Sequence, residues 1–272
     1  MVTTLALPRV LGRASTALGR SAAVTSRDLI AVTHSGYWLV VISGFLEPVL
    51  YLAAIGIGVG GLIGEFHLAD GTTISYAAFV APAMLAASAM NGALAETTFN
   101  FFARLKWVRL YEAMVSTPLR PIEIALGELA WALIRGSLYS VAFLTIMVVL
   151  GLTTVGWAIP ALVASVLVGL AFGALGMAIS TLLRSWQDFD YVGIVMIAMF
   201  LFSGTFVPAS SFPPAVRWLV EVTPLYQGVA LLRDLTTGRF GWSSLIHVAY
   251  LGALAAVGLW IASKRMTRLL CQ

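Results

Sequence analysis

The chain has 272 residues, of which 60% are hydrophobic and only 10% charged, and a formal charge of +4; its mean hydropathy is +0.95. Soluble domains hold roughly 45–50% apolar residues, so this composition excludes an ordinary water-soluble domain and describes a membrane protein. One cysteine, Cys271, rules out an internal disulfide and a multi-cysteine metal site, and the basic residues lie beside apolar runs, where they set membrane orientation rather than nucleic-acid binding.

Residues 1–30 lack the apolar centre that a signal peptide needs. Arg9, Arg13, Arg20 and Arg27 fall within about 40° of one another on a helical wheel, opposite Leu7, Leu11, Leu18 and Leu29. The pattern predicts an amphipathic helix lying on an anionic inner leaflet. Gly12 and Gly19 keep a frayed basic tail open as the alternative, and an Arg-rich transit peptide is compatible by composition.

A spanning helix needs roughly 20 apolar residues. Six runs qualify, at about 38–60, 77–99, 129–150, 158–182, 190–207 and 244–262. Runs this long and continuous read as helices, because barrel strands alternate and are half the length. The fold class predicted is therefore an all-α membrane protein of six transmembrane helices, with a domain at 31–265 and a cytoplasmic tail at 266–272.

In the first run, Glu47 lies near mid-depth directly before Pro48, whose ring removes a backbone bond to Gly44 and bends the helix. Glu47 fits either a polar cavity wall or gate, or a hydrogen-bonded helix contact. Gly56, Gly58 and Gly61 match dinucleotide-fingerprint spacing, but no strand–helix unit surrounds them; Gly56 and Gly60 read as a small-residue packing pair. Glu96 falls near the end of the second run and is expected to anchor a loop.

From Arg104 the spacing predicts a short amphipathic helix, with Trp107, Tyr111, Met114 and Val115 on one face and Lys106, Arg109, Glu112 and Ser116 on the other. Pro118 stops it at Thr117. Pro121 suits the first turn of the next helix, with Glu123 and Glu128 near its positive dipole end. Two readings stand: an interfacial anchor, or a docking knob for a soluble partner. Arg135, about two turns into the third run, fits snorkelling toward the cytoplasm or contact with an anionic headgroup.

The segment Ser203–Trp242 is too apolar for an ordinary loop. Pro208, Pro213, Pro214 and Pro224 punctuate two short helical patterns that fold back onto the bundle, as a structural cap or a substrate gate. Orientation follows from twelve Lys and Arg residues on one side against three, Arg217, Arg233 and Arg239, on the other, which places both termini in the cytoplasm.

"GFLEPVLYLAAIGIGVGG" (44–61), "STPLRPIEIALGELAWALIR" (116–135) and "FLFSGTFVPASSFPPAVRWLVEVTPLYQGVALLRDL" (200–235) together resemble the ABC-2 type permeases, and within them the branch similar to nodulation lipo-oligosaccharide exporters and actinobacterial drug exporters. Where many such permeases carry an acidic run before the cytoplasmic loop, this chain has Arg104, Lys106 and Arg109. The resemblance implies a half-transporter in a bacterial plasma membrane, whose cytoplasmic helix sits in a cleft of an ATP-hydrolysing subunit. It implies Arg104, Lys106, Trp107, Arg109, Tyr111 and Glu112 as coupling residues, and Glu47, Pro48, Glu96, Arg135 and Phe206 as candidates for the path or gate. Two P-loop ATPase subunits, using ATP and magnesium, and a second permease, identical or related, complete the implied assembly; membrane lipids surround it.

A P-loop needs a lysine after glycine, and the two lysines, Lys106 and Lys264, each lack one. The chain is thus expected to hold no cofactor and to depend on a separate polypeptide or an ion gradient for energy. His34, His67 and His247 show no metal-ligand spacing, and no nucleophile elbow surrounds Ser203, so enzymatic readings fall away. A gradient-driven secondary transporter is the alternative. Such proteins often show internal repeats, and the echo of Ser43-Gly44…Pro48 in Ser203-Gly204…Pro208 links runs one and five instead of one and four. The substrate expected of a path between apolar helices with few charges is amphipathic: a lipid, a glycolipid or a hydrophobic drug.

Overall fold

The computed structural model describes residues 19–31, 46, 50–54, 58, 65–67 and 73–270. Most of the run at 38–60, including Glu47, Pro48 and Gly56, together with Arg9 and Arg13, lies outside the described residues. Residues 19–31 form a helix, α1. A hairpin that the sequence patterns did not reveal follows, pairing β1 (Glu65–His67) with β2 (Thr73–Ser75) in register Glu65 to Ser75. Ser75 then caps α2 (Tyr76–Leu94), accepting from the Ala78 N–H at 3.2 Å.

The helix does not end at Leu94. It continues through two wide-turn π segments, Ala95–Asn100 and Ala103–Trp107, so that the whole apolar rod runs from Tyr76 to Trp107. α3 (Leu110–Val115) follows a break, and α4 (Pro121–Val149) and α5 (Val155–Ser180) form a long antiparallel pair. α6 (Asp188–Leu201), two short helices α7 (Pro214–Val222) and α8 (Pro224–Thr236), and the long α9 (Trp242–Leu270) complete the described chain. Four of these rods, Tyr76–Trp107, Pro121–Val149, Val155–Ser180 and Trp242–Leu270, are long and apolar enough to cross a membrane.

The run predicted at 190–207 differs in kind. α6 holds 14 residues, about 21 Å at 1.5 Å per residue and short of the roughly 20 residues a span requires. It ends because Phe202 leaves helical geometry and Gly204 takes φ +71°, a left-handed turn that glycine adopts without strain. The Ser203 and Thr205 hydroxyls, 2.6 Å apart, fix this corner, and α7 and α8 are the two short helices expected between 203 and 242.

α5 is the central helix, contacting α2, α4, α8 and α9. Its approach to α9 is close because Gly258 has no side chain: a Cβ there would lie 2.8 Å from the Ala174 carbonyl carbon. Two apolar cores stack along the bundle. One gathers Phe79, Leu85, Phe143, Phe172 and Leu232; the other gathers Phe101, Tyr111, Ile124, Leu129, Met177 and Met266 at the end that carries α3. Arg233 ties the opposite end together. Its guanidinium donates to the Gly204 carbonyl at 3.0 Å and the Phe79 carbonyl at 3.3 Å, and lies 3.9 Å from the Phe79 ring centre.

Candidate functional site

The predicted single helix over 104–117 is two pieces. Arg109 adopts φ +50°, the one non-glycine left-handed residue among those described, and separates the π turn ending at Trp107 from α3. The break redirects the helical face that the sequence drew as continuous. Tyr111 is fully buried against Phe101, ring centres 5.0 Å apart, and Met114 and Val115 pack beside it. Trp107 turns away, 65% exposed, and stacks on Trp186 at 4.9 Å. Lys106, Arg109 and Glu112 are exposed as expected. The α3 turn therefore presents a charged outer face on a buried tyrosine anchor.

Trp186 belongs to the turn between α5 and α6 and was not singled out in the sequence. With Phe99, Phe102 and Phe189 it clamps that turn onto the π segments, Phe99 and Phe189 stacking at 4.5 Å. Isolated aromatics on separate elements give no periodic signal, so the sequence alone does not reveal the cluster.

Behind α3 lies a buried ion-pair network. Arg104, at the base of the π turn, faces Glu128 on α4 in a close pair, Asp28 on α1 at 3.4 Å and Glu96 at 3.6 Å. Arg135 on α4 meets Glu96 at 2.9 Å, and Asn100 donates to the same carboxylate at 2.9 Å. Arg27 on α1 binds Glu128 at 2.9 Å and Asp28 at 2.8 Å, while Arg20 lies 3.6 Å from Glu123 and donates to the Pro118 carbonyl at 3.0 Å. Four arginines thus balance four acids, Asp28, Glu96, Glu123 and Glu128. The acids are 4–7% exposed and the arginines 23–41%, so the guanidinium groups carry water access into a site whose carboxylates have none. Burial alone would lower the Arg27 pKa, but Asp28 and Glu128 outweigh it and hold it above the ordinary value.

These positions revise several expectations. Arg135 neither snorkels to an interface nor waits for a headgroup: Glu96, about two turns before Arg104, is its partner, and together they join α2 to α4. The described part of the N-terminal segment is no frayed tail, and its arginines face protein acids instead of lipid. It lies on α4 where Gly127 opens a groove; a Cβ at Gly127 would sit 2.6 Å from the Val24 Cβ. Thr25 closes the contact by donating to the Gly127 carbonyl at 3.0 Å. Pro121 and Glu123 behave as expected, the Glu123 carboxylate accepting from the Arg120 N–H at 2.9 Å at the first turn of α4. Phe206 lies far from this cluster, at the corner that follows α6. It meets Phe200 edge-on at 5.4 Å, and its carbonyl accepts from the Tyr76 hydroxyl at 3.3 Å. Glu47 and Pro48 lie outside the described residues.

The Tyr111 hydroxyl is the exception to this satisfied site: it is buried and meets no hydrogen-bond geometry among the described residues, although the Glu128 carboxylate lies near enough to act on it. Burial, reinforced by the Glu128 carboxylate, pushes its pKa well up, so it stays neutral. An unmade bond costs its group the full desolvation penalty. Tyr111→Phe is accordingly expected to leave stability unchanged or raise it by about 1 kcal/mol, measured as thermal unfolding in detergent; a clear loss would show that the hydroxyl has a partner.

Comparison with known proteins gives a consistent result. A family model described as ABC-2 type transporter matches residues 22–237. Nodulation protein J of Rhizobium leguminosarum bv. viciae is 31% identical over 229 residues, covering 84% of this chain and 86% of that protein. Nodulation protein J of Rhizobium meliloti (strain 1021) is 33% identical over 216 residues, 79% of each. That of Rhizobium leguminosarum bv. trifolii is 32% identical, covering 82% of this chain and 83% of its own length.

Proposed function

We propose, from the premise that the chain belongs to the ABC-2 type transporter family, that it is the membrane-spanning subunit of an ATP-driven exporter of an amphipathic substrate. The observation that carries this is the mounting of α3: an exposed charged turn, Arg109 to Glu112, held on a buried tyrosine and wired through Arg104, Asp28, Glu96 and Glu128 to three other helices. A push on such a turn reaches α2 and α4 through fixed contacts instead of being lost in a floppy loop.

A separate P-loop chain supplies ATP hydrolysis with magnesium, and its surface meets Lys106, Trp107, Arg109 and Glu112. Arg104 and Tyr111 act one layer behind, passing the displacement on. In the assembled exporter two permeases, identical or related, stand over two ATPases in a bacterial inner membrane, α3 and both termini on the cytoplasmic side. The run at 38–60 supplies a fifth span, and α6, too short to cross alone, makes the sixth crossing together with the corner at 202–207. At the outer corner, Phe206 and the short helices α7 and α8 cap the path.

The test is charge reversal at the knob. The double variant Arg109→Glu with Glu112→Arg is expected to reduce recovery of the co-expressed ATPase at least tenfold in affinity purification, whereas exchanging the exposed pair Arg217 and Glu221 on α7 leaves recovery intact. Unaltered recovery with the α3 variant would remove α3 from the docking surface.

A further inference from the structure

Across the middle of the α2 rod the structure holds a small polar recess that the coupling machinery does not use. Asn91 lies 15 residues beyond Tyr76 in a rod that ends at Trp107, about 22 Å along it at 1.5 Å per residue and therefore near mid-depth. With Ser88, one turn before it, Asn91 lines a partly open cavity of about 150 Å³ that Tyr51, Met84, Met196 and Phe200 also line. α6 stands off α2 here, its Ile194 and Ile197 more than 60% exposed.

Most hydroxyls elsewhere in the rods are satisfied within their own helix. Thr97, Ser137, Thr145, Ser165 and Ser180 each donate to a carbonyl three or four residues back. Ser88 and Asn91 make no hydrogen bond among the described residues, and both are open to the recess. A carboxamide left unpaired at membrane mid-depth is costly unless something arrives to bond it. Asn91 offers two donors and an acceptor, and Ser88 one donor and two lone pairs. No charged side chain lines the cavity among the described residues. The described lining therefore complements a neutral group that both gives and accepts hydrogen bonds, and among the described residues nothing offers a phosphate or an ammonium group a counter-charge. At about 150 Å³ it is smaller than the roughly 300 Å³ of a pocket enclosing a whole small ligand, so it takes one polar unit while the alkyl part lies along α6.

We infer that Ser88 and Asn91 form a recognition subsite for an uncharged hydroxyl- or amide-bearing headgroup of an amphipath, such as one sugar of a glycolipid. This rests on the exporter reading for its meaning, but not for its test. The full-length chain in phosphatidylcholine nanodiscs is irradiated with octyl glucoside or octyl phosphocholine, each carrying a photoreactive diazirine on its headgroup, and the labelled peptides are mapped. The glucoside is expected to label residues 84–91 and 196–200, and Asn91→Leu to cut that labelling about tenfold, as the loss of one or two buried hydrogen bonds implies. Ser88→Ala removes a donor without adding bulk and should cut it several-fold, which keeps the test sound if the leucine variant misfolds. The phosphocholine probe should show no such concentration. Equal labelling by both probes, indifference to both substitutions, or ready disulfide formation between copies carrying Asn91→Cys and Cys271→Ser without any probe would overturn the inference, the last by showing that the recess faces a second copy. Because labelling needs no ATPase, loss of the exporter reading would leave this result standing, and the reverse also holds.

Discussion

Glu128→Ala is expected to lower the stability of the whole bundle by an amount toward the lower end of about 3–5 kcal/mol, the range for removing one partner from a buried ion pair. Its carboxylate, 4% exposed, is shared by Arg27 and Arg104; Arg104 would lose its closest anion and Arg27 one of its two. The estimate sits low because the two guanidinium groups remain 31% and 23% exposed and can recruit water. In a thermal scan of the detergent-solubilised protein this corresponds to a drop of roughly 6–12 °C. Glu128→Gln, which keeps the acceptor but not the charge, should fall between. An unchanged midpoint for the alanine variant would mean that water already carries these charges and that the network links nothing.

Gly127→Ala addresses the other half of the linkage, the docking of α1. The added methyl would lie 2.6 Å from the Val24 Cβ and 2.7 Å from the Ser21 carbonyl oxygen, and the second of these is backbone, which cannot rotate aside. α1 is therefore expected to lift from α4, surrendering the Thr25 bond and the pairs made by Arg20 and Arg27. Trypsin cleavage after Arg20 and Arg27 should accelerate at least tenfold while the helical content of the rods is retained. Gly136→Ala, with open space at its Cβ, is the control and should change nothing. Equal protection in both variants would place α1 off α4. If α1 transmits force, ATP hydrolysis by the complex should persist in Gly127→Ala while substrate movement falls.

The long rods were legible because spans declare themselves by length and apolar content, and the helix start at Pro121 because its chemistry is local. α6 ends earlier than the pattern predicts: residues 202–207 carry no charge or proline and prolong the apolar run, whereas the helix stops at Phe202 and turns at the left-handed Gly204. The kink at Arg109 was invisible for a related reason, since an arginine carries no signal for positive φ and the surrounding pattern continues through it. The ion-pair network was legible residue by residue but not as a network. Arg20, Arg27, Glu96, Arg104, Glu123, Glu128 and Arg135 all stand out as charges in an apolar chain, yet the sequence points each to lipid, a loop, a helix dipole, the transport path or the coupling surface. Pairing Arg27 with Glu128 spans 101 residues of sequence, and no periodicity encodes which helices meet.

The most direct test of the exporter reading is purification of the affinity-tagged chain, expressed with its own neighbouring genes, in mild detergent, with identification of the accompanying chains and assay of ATP hydrolysis. Recovery of a P-loop subunit with vanadate-sensitive activity is the predicted result. A clean single chain, stable across several detergents, without ATPase and driving transport from an ion gradient in liposomes, would contradict it.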